Sequence, residues 1–374
     1  MLLADMGAEV IKIEPRGEGD PLRKVGVVVE GLSWYFAQFN RNKKSITLDL
    51  YTDDGKDILA RLIARADVLL ENYRPGVLAR MGFDEARLHE LNPDLVVCGI
   101  SGYGSTGPHA DRPAFDFIAQ AMSGFMSVNG RDGEEPMRAA PPISDLVAGL
   151  YGAFGVVCAL YSRREGRARG QRVESSLVNG LISMLAYLSA QYLATGQLPP
   201  RTGNEHPIVA PYGLYHAADG EVAIAPGTDD VVRRLFRALQ IEHMLERPEF
   251  ATYEQRLQHR DAVNALVGER IRAHTVDHWI EHLNNAGVPC GRVADLRAVF
   301  SDSQVLAQEM VLEVEHPGHG PVRMTGFPVK LSATPCRVRL PAPDLGAHTE
   351  EVLRDLGLAD QIARLRERRI IGSE

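Results

Sequence analysis

The sequence predicts an α/β fold in which a large domain, formed by both ends of the chain, carries an inserted small α+β domain. Three observations lead to this prediction. Short apolar segments alternate with amphipathic helical patterns in the first half of the chain, which is typical of a parallel sheet covered by helices. The Pro- and Gly-containing stretch Leu198–Asn204 then indicates a linker. After it, a hairpin pattern opens a region of different composition.

The predicted elements of the first half follow in order. Met1–Met6 is typical of the end of a helix, and Gly7 suits the position after a helix, where a left-handed backbone is common. Next come predicted strands over 8–14, 44–50, 67–71 and 95–100, and an amphipathic helix over 53–65.

The second half begins with a predicted hairpin, 213–217 and 221–225, that turns on Asp219-Gly220. Helices rich in Arg, Glu and His follow, and a final helix is expected from about Glu350. We therefore predict a large domain from 1–196 and 315–374, a small domain over 212–300, and linkers over 197–211 and 301–314.

Composition excludes several classes of protein. The chain has 374 residues, 45% of them hydrophobic, which suits about two globular domains. A net charge of −8 argues against nucleic acid or an anionic membrane as partner. The four cysteines are widely spaced, which excludes a disulfide scaffold. Asp5, Glu9 and Lys12 interrupt any signal peptide, so we expect a cytoplasmic protein.

Two uncharged segments reach the length of a membrane span. They are Leu146–Ser162 and Ser175–Pro200, and an Arg-rich turn, Arg163–Arg172, lies between them. The first contains several glycines and the second contains Asn179, Gln191 and several serines. We interpret them as two buried helices of a globular domain.

Two motifs are weak indications of a cofactor or metal. Gly102–Gly107 fits GxGxxG after a strand, but a helix must follow at once to bind a dinucleotide, and Pro108–Pro113 intervenes. His274, His278 and His282 share a helix face, but i and i+8 lie about 12 Å apart on a straight helix, too far for one ion. No metal site is predicted.

Asp145 is the strongest catalytic candidate. It is the only acid between Glu135 and Glu165, and it stands where a long apolar helix begins. Asp is a favoured N-cap residue. A carboxylate that apolar neighbours strip of water is also a competent nucleophile. The local pattern fits both roles.

A phosphate-binding rim is predicted at the end of the strand 67–71. Asn72, Tyr73 and Arg74 follow this strand, where open α/β sheets bind ligands. Only some of the nearby cations are expected on this rim, and for any single one the alternative is an ordinary solvated surface residue; the candidates are Arg16, Arg23, Lys43, Lys44, Arg74 and Arg80.

With these residues the chain resembles the family III CoA-transferases, a group that also contains α-methylacyl-CoA racemases. The resemblance covers essentially the whole chain. It rests on Gly7–Glu14, Asn40–Ile46, Asp67–Gly76 with Arg80–Phe83, Asn92-Pro93, Ser101–Gly104 with Gly107-Pro108, Pro113–Asp116, Gly166–Val173, Ala286–Cys290 and Leu345–Thr349.

The resemblance implies a Rossmann-like large domain, two linkers and a homodimer whose subunits interlock like links of a chain. It makes Asp145 the expected nucleophile. Matching positions imply CoA contacts at Arg16, Leu48, Asn72, Tyr73, Arg74, Arg80, Ala114, Phe115 and Asp116. Pro15 stands where some members carry an Arg, so the Arg16 contact is expected to be shifted.

The implied reaction is transfer of CoA from an acyl-CoA to a carboxylic acid, through a mixed anhydride and an aspartyl-CoA thioester on Asp145. CoA is then a substrate, and no ATP, metal or tightly bound cofactor is expected. The N–H groups of Gly102–Gly107 are candidates for stabilising oxyanions. Pro207–Tyr212 and the lack of a Gly-Gly pair favour a succinyl-CoA/dicarboxylate type over a formyl-CoA/oxalate type.

Two departures from the family pattern leave alternatives open. Phe115 stands where racemases carry a His, and because Phe moves no proton, transfer is favoured over racemisation. Members normally have a further strand and turn ahead of the position of Met1, which contribute to CoA binding. An acyl-CoA racemase or isomerase, or a truncated CoA-binding homologue without catalysis, are the alternative functions.

Overall fold

The computed structural model describes residues 1–372 as a mixed α/β fold with small sheets. The strands are β1 Val10–Glu14, β2 Val28–Val29, β3 Leu32–Ser33, β4 Lys43–Thr47, β5 Val68–Glu71, β6 Val96–Ser101, β7 Arg172–Ser176, β8 Gly213–His216, β9 Glu221–Ile224, β10 Cys290–Arg292, β11 Val311–His316 and β12 Gly320–Thr325.

The helices are α1 Leu2–Asp5, α2 Trp34–Asn40, α3 Asp53–Ile63, α4 Val77–Arg80, α5 Glu85–Leu91, α6 Asp116–Met122, α7 Phe125–Val128, α8 Ile143–Arg164, α9 Leu177–Met184, α10 Ala186–Thr195, α11 Asp229–Ala238, α12 Pro248–Ala251, α13 Tyr253–Gln258, α14 Arg260–Ile271, α15 Val276–Asn285, α16 Leu296–Ser301, α17 Ser303–Ala307, α18 Thr349–Asp355 and α19 Ile362–Glu367. Single 3₁₀ turns form at Pro21–Lys24, Glu242–Glu246 and Ala359–Gln361.

The chain divides into two compact units. Unit 1 contains Met1–Ala119, Pro141–Leu181 and the chain from Phe300 onward, and unit 2 contains Gln120–Ala140 and Ile182–Val299. Compared with the predicted domains, 120–140 and 182–196 lie in unit 2, and 301–314 lies in unit 1. In unit 2, the Gly203 amide donates to the Gly130 carbonyl at 2.8 Å, and the ring of Tyr187 stacks on that of His206. The predicted range 315–374 also includes Ser373 and Glu374, which lie outside the described residues.

Unit 1 contains two parallel sheets. β1 pairs with β4 from Val10↔Lys43 to Glu14↔Thr47, and β6 lies between β5 and β7. The predicted strands correspond to β1, β4, β5 and β6, and the predicted helix over 53–65 corresponds to α3. The strand β7 was not predicted, because its sequence was assigned partly to the basic turn and partly to the second apolar segment.

Helix α8 packs closely on the central sheet of unit 1. Val156 and Ala159 form a buried cluster with Val96 and Cys98 of β6. Gly155 permits the contact, because a Cβ at this position would lie 2.6 Å from the side chain of Val173. Close packing therefore fixes the helix that carries Asp145 against β6 and β7.

The expectation of two buried apolar helices is corrected in two respects. Only one face of α8 is buried, since Leu146, Leu150 and Phe154 are exposed in the single chain. The second segment is not one helix but the pair α9 and α10, bent by 81°. By length and composition α8 is the one described helix apolar enough to cross a membrane, and the bent pair would be a second if taken as one span.

Unit 2 is built on the antiparallel sheet β8–β9–β10. The predicted hairpin is confirmed, with Gly213 opposite Ile224 and His216 opposite Glu221. Helices α11, α14 and α15 bury apolar faces against this sheet, and their shared core includes Phe236, Val267 and Trp279. These contacts form a separate core in unit 2.

Candidate active site

Asp145 is the third residue of α8, within its first turn. Pro142 is the N-cap and has no side chain that can accept a hydrogen bond. The N-cap interpretation of Asp145 is therefore wrong for this residue. Pro142 also lacks the N–H to which an acid at the third helical position would reach back in a capping box. The Asp145 carboxylate is thus not used to cap its own helix.

The cap comes from another segment of unit 1. The Ser144 amide donates to Asp116 Oδ1 at 2.9 Å, and the Ser144 hydroxyl donates to the same oxygen at 2.8 Å. Ser144 is fully buried and Asp116 is 8% exposed. The side chain of Asp116 thus satisfies an amide that would otherwise be unpaired at the start of α8.

The Asp145 carboxylate has no hydrogen-bond or ion-pair partner among residues 1–372. It is exposed in the single chain, although protein atoms crowd one side of it. This partial burial, and secondly the negative charge of Asp116, raise the pKa of Asp145 above its usual value. The partial positive charge at the start of α8 acts in the opposite direction and favours the ionised form. The Asp145 carboxylate therefore has no partner among the described residues and is more basic than an ordinary aspartate.

The glycine loop after β6 packs against the segment that precedes α6. A Cβ at Gly102 would lie 2.5 Å from the Cβ of Ala114, so a glycine is needed there. The Gly104 amide donates to Ser101 Oγ at 3.0 Å, and the Ser105 amide donates to Glu174 at 2.6 Å. These two amides are engaged within the protein, which argues against them as oxyanion donors in this conformation.

The predicted CoA residues after β5 lie together on one exposed segment. Asn72, Tyr73 and Arg74 follow the strand and Arg80 ends α4 one turn later, all four exposed. The Tyr73 amide donates to Glu71 at 2.9 Å. Partial burial, with the nearby Tyr51 and Glu71, raises the pKa of the Tyr73 hydroxyl. The position of these four residues after a strand of the sheet, and the exposure of their side chains, both suit the binding of a nucleotide.

The other predicted contacts differ in accessibility. Leu48 is 2% exposed in the core and its amide donates to the Glu14 carbonyl. Arg16 Nη1 donates to the Arg369 carbonyl at 2.7 Å. Ala114 is partly exposed and Phe115 is 83% exposed, whereas the neighbouring Asp116 is buried.

Three cations of the predicted phosphate rim have partners within the protein. Arg23 forms an ion pair with the buried Glu14, and Lys44 pairs with Glu9 and Glu351. Lys43 donates to Asn40 at 2.9 Å, and burial lowers its pKa to about 8. These three cations stabilise the β1–β4 region. Sequence could not show the pairing of Lys44 with Glu351, because Glu351 lies some 300 residues further along the chain.

Other candidate features are formed by residues of unit 2, whereas Asp145 belongs to unit 1. Two surface cavities of about 600 and 200 Å³ are lined by unit 2 residues, none of which is a predicted site residue. His274 precedes α15 instead of lying on it, and its ring stacks on that of His278. Within residues 1–372 no group of three or more His, Cys, Asp or Glu side chains is arranged to hold a metal.

Comparison with known proteins indicates the class of reaction. The family described as CoA-transferase family III matches residues 1–349. The chain is 36% identical to a succinyl-CoA–D-citramalate CoA-transferase of Chloroflexus aurantiacus, over 99% of this chain and 93% of that protein. It is 34% identical to a succinate–glutarate CoA-transferase of Agrobacterium fabrum, over 97% and 92%. A crystal structure of a CAIB/BAIF family protein from Brucella suis superposes with a TM-score of 0.81 at 35% identity, covering 95% of this chain and 93% of that one.

Proposed function

The chain belongs to CoA-transferase family III and is a CoA-transferase, and we propose that it exchanges CoA between succinyl-CoA and a second dicarboxylic acid through a covalent intermediate on Asp145. The observation that carries this proposal is the carboxylate of Asp145, which has no partner and a raised pKa. A carboxylate that is not hydrogen-bonded keeps its lone pairs for attack on a carbonyl carbon.

The first half of the reaction transfers CoA to the protein. A carboxylate oxygen of Asp145 attacks the thioester carbon of succinyl-CoA, the C–S bond breaks, and CoA leaves as a thiolate. The product is a mixed anhydride of Asp145 and succinate. The thiolate then attacks the aspartyl carbonyl carbon, which forms aspartyl-CoA and releases succinate.

The second half reverses these steps with the acceptor. An acceptor carboxylate attacks the aspartyl thioester, CoA leaves again as a thiolate, and a new mixed anhydride forms. The thiolate attacks the acceptor carbonyl, which yields the acceptor's CoA ester and regenerates the Asp145 carboxylate. One thioester replaces another without a change of oxidation state, so the cycle needs neither ATP nor a resident cofactor. Anhydrides hydrolyse readily, so the site has to exclude water during turnover.

The proposed substrates follow from the relatives and from the charge of the surface. The names of two relatives contain citramalate and glutarate, both dicarboxylates, beside succinyl-CoA in the first and succinate in the second. We place the CoA nucleotide against Asn72, Tyr73, Arg74 and Arg80. Arg74 and Arg80 have no ion-pair partner among the described residues, which suits cations that bind phosphate.

We also propose that the large domain is Rossmann-like and that two copies interlock as a cytoplasmic homodimer. The exposed face of α8 supports a second copy, because Leu150, Phe154, Val157 and Tyr161 form an apolar stripe continuous with Leu146 beside Asp145. Covering this stripe would also shield the Asp145 carboxylate from bulk water.

The test of the proposal is Asp145→Ala, with Asp53→Ala as the matched control. Asp53 is an exposed acid in the first turn of α3, so its loss repeats the change of charge at a different helix start. We expect Asp145→Ala to lose at least about 10³-fold in kcat for transfer from succinyl-CoA to glutarate while CoA still binds, and Asp53→Ala to be unaffected. Mass spectrometry of the wild-type protein with succinyl-CoA should find CoA attached at Asp145. Full activity of Asp145→Ala would disprove the covalent role.

A further inference from the structure

The start of α8 is held by a residue from a different part of the chain. Helices usually provide their own N-terminal cap from the adjoining residue, and Pro142 provides none. Asp116 precedes Ser144 by 28 residues and binds both its amide and its hydroxyl. Ser144 directly precedes Asp145, so any displacement of this contact moves the nucleophile.

Asp116 is itself fixed by packing. It begins α6, and the Ala119 amide of that helix donates to the Phe115 carbonyl at 3.1 Å. Ala119 belongs to a buried apolar cluster with Ala148 of α8 and Leu177 of α9. Two contacts therefore join α6 to α8, an apolar one and the polar one at Asp116. Both contacts are buried, and hydrogen bonds to a buried carboxylate are stronger than exposed ones.

We propose that Asp116 is a positioning residue for the transfer reaction, which holds the first turn of α8 and thereby aims the Asp145 carboxylate at the thioester carbon. This proposal rests on the proposed function, in which Asp145 is the nucleophile. Asp116 touches neither the thioester nor the anhydride in this role. It acts through Ser144 and through its negative charge.

The charge has a separate, measurable consequence. Of the described residues, Asp116 is the charged neighbour that affects the titration of Asp145. A negative neighbour disfavours the ionised form of Asp145 and makes the carboxylate more basic. A more basic carboxylate of unchanged geometry is a better nucleophile. Removing the charge should therefore lower the pKa of Asp145 and move the acid side of the kcat–pH profile to lower pH.

Two substitutions separate the contact from the charge. Asp116→Asn keeps an oxygen that accepts from Ser144 but removes the charge, whereas Asp116→Ala removes both. We expect Asp116→Ala to lower kcat about 10- to 100-fold, as misplacing a reacting group by about an ångström does, with the Kd for CoA unchanged. Asp116→Asn should lose less, and its acid limb should move to lower pH. Ser144→Ala keeps the hydrogen bond from the backbone amide of residue 144 to Asp116 and removes only the one from the hydroxyl. Because one of the two hydrogen bonds remains, kcat should stay within about threefold of the wild-type value.

The outcomes that overturn the proposal are distinct from failure of the proposed function. If Asp116→Ala raises the Kd for CoA and leaves kcat unchanged, Asp116 is a CoA contact, as the family resemblance implies, and not a positioning residue. Wild-type behaviour of both Asp116 variants, together with an inactive Asp145→Ala, also overturns it. An active Asp145→Ala instead refutes the nucleophile itself. If Asp116→Ala does not fold, the pH profile of Asp116→Asn decides, and an unmoved acid limb counts against the proposal.

Discussion

Replacing Asp5 by Ala should strongly destabilise unit 1. Arg41 is fully buried, and its guanidinium donates to both carboxylate oxygens of Asp5 over 2.9 to 3.2 Å. Nδ2 of Asn42 donates to the same carboxylate at 2.9 Å. Arg41 is also anchored by the Thr325 carbonyl, at 2.6 Å, and by the ring of Phe327, whose centre lies 4.7 Å away. It therefore cannot move into water when its partner is removed.

The magnitude follows from what the substitution leaves behind. Asp5→Ala leaves a buried positive charge without compensation, and breaking a buried ion pair from one side costs about 3–5 kcal/mol. For a unit of this size, each kcal/mol corresponds to roughly 2 °C in Tm, so Tm should fall by about 6–10 °C. The exposed pair of Arg61 and Asp57 provides the control, because Asp57→Ala should cost no more than about 0.5 kcal/mol.

The assay is urea unfolding of the two variants and the wild-type protein, followed by circular dichroism at fixed protein concentration. The free energy of unfolding is compared at equal slope, so that a change in midpoint reports stability. A loss below about 1 kcal/mol for Asp5→Ala, similar to a routine surface substitution, would refute the reasoning that Arg41 depends on this carboxylate.

Two further predictions concern acid stability and assembly. Burial alone would raise the pKa of Glu14, but hydrogen bonds from Arg23 and Ser45 outweigh it and hold that pKa below the usual value. The resulting stability is present above the unfolded-state pKa of Glu14 and is lost as pH falls through its folded-state pKa. Glu14→Gln should therefore lose less stability than the wild-type protein when the pH of the unfolding experiment is lowered. Phe154→Glu should convert the proposed dimer to monomer in sedimentation velocity, and an unchanged dimer would place the interface elsewhere.

Local patterns predicted the elements that depend on local sequence. The strands β1, β4, β5 and β6, the helix α3 and the hairpin on Asp219-Gly220 are confirmed, because apolar periodicity and turn chemistry act over a few residues. The strands β11 and β12 were not predicted, and they pair from Val311↔Thr325 to His316↔Gly320. Both strands in fact alternate with a period of two, since Glu313, Glu315 and Arg323 share one face and the buried Val322 and Met324 lie on the other. The Pro and Gly residues at the turn obscured this pattern in the sequence.

The candidate site shows the limit of such patterns more clearly. Asp145 was identified from its isolation in an apolar stretch, and its start-of-helix position is confirmed. The role of Asp116 in holding Ser144 depends on a tertiary contact, which no local spacing encodes. Likewise Arg23 and Lys44 were expected on a phosphate rim, but the acids that pair with them are brought there only by folding.

The joining of β4 to the far end of the chain has a consequence for synthesis. The Thr47 amide donates to Thr349 Oγ1, 302 residues later, and the Asp49 amide donates to the Ile370 carbonyl. At about 5–20 residues per second, the ribosome needs roughly 15–60 s to make the chain between them. During that interval only α3 shields the apolar cluster around Leu48, because the helices after Thr349 that complete the cluster have not yet been made. The core beneath β1 and β4 can therefore be completed only after the segment that follows Thr349 has been made.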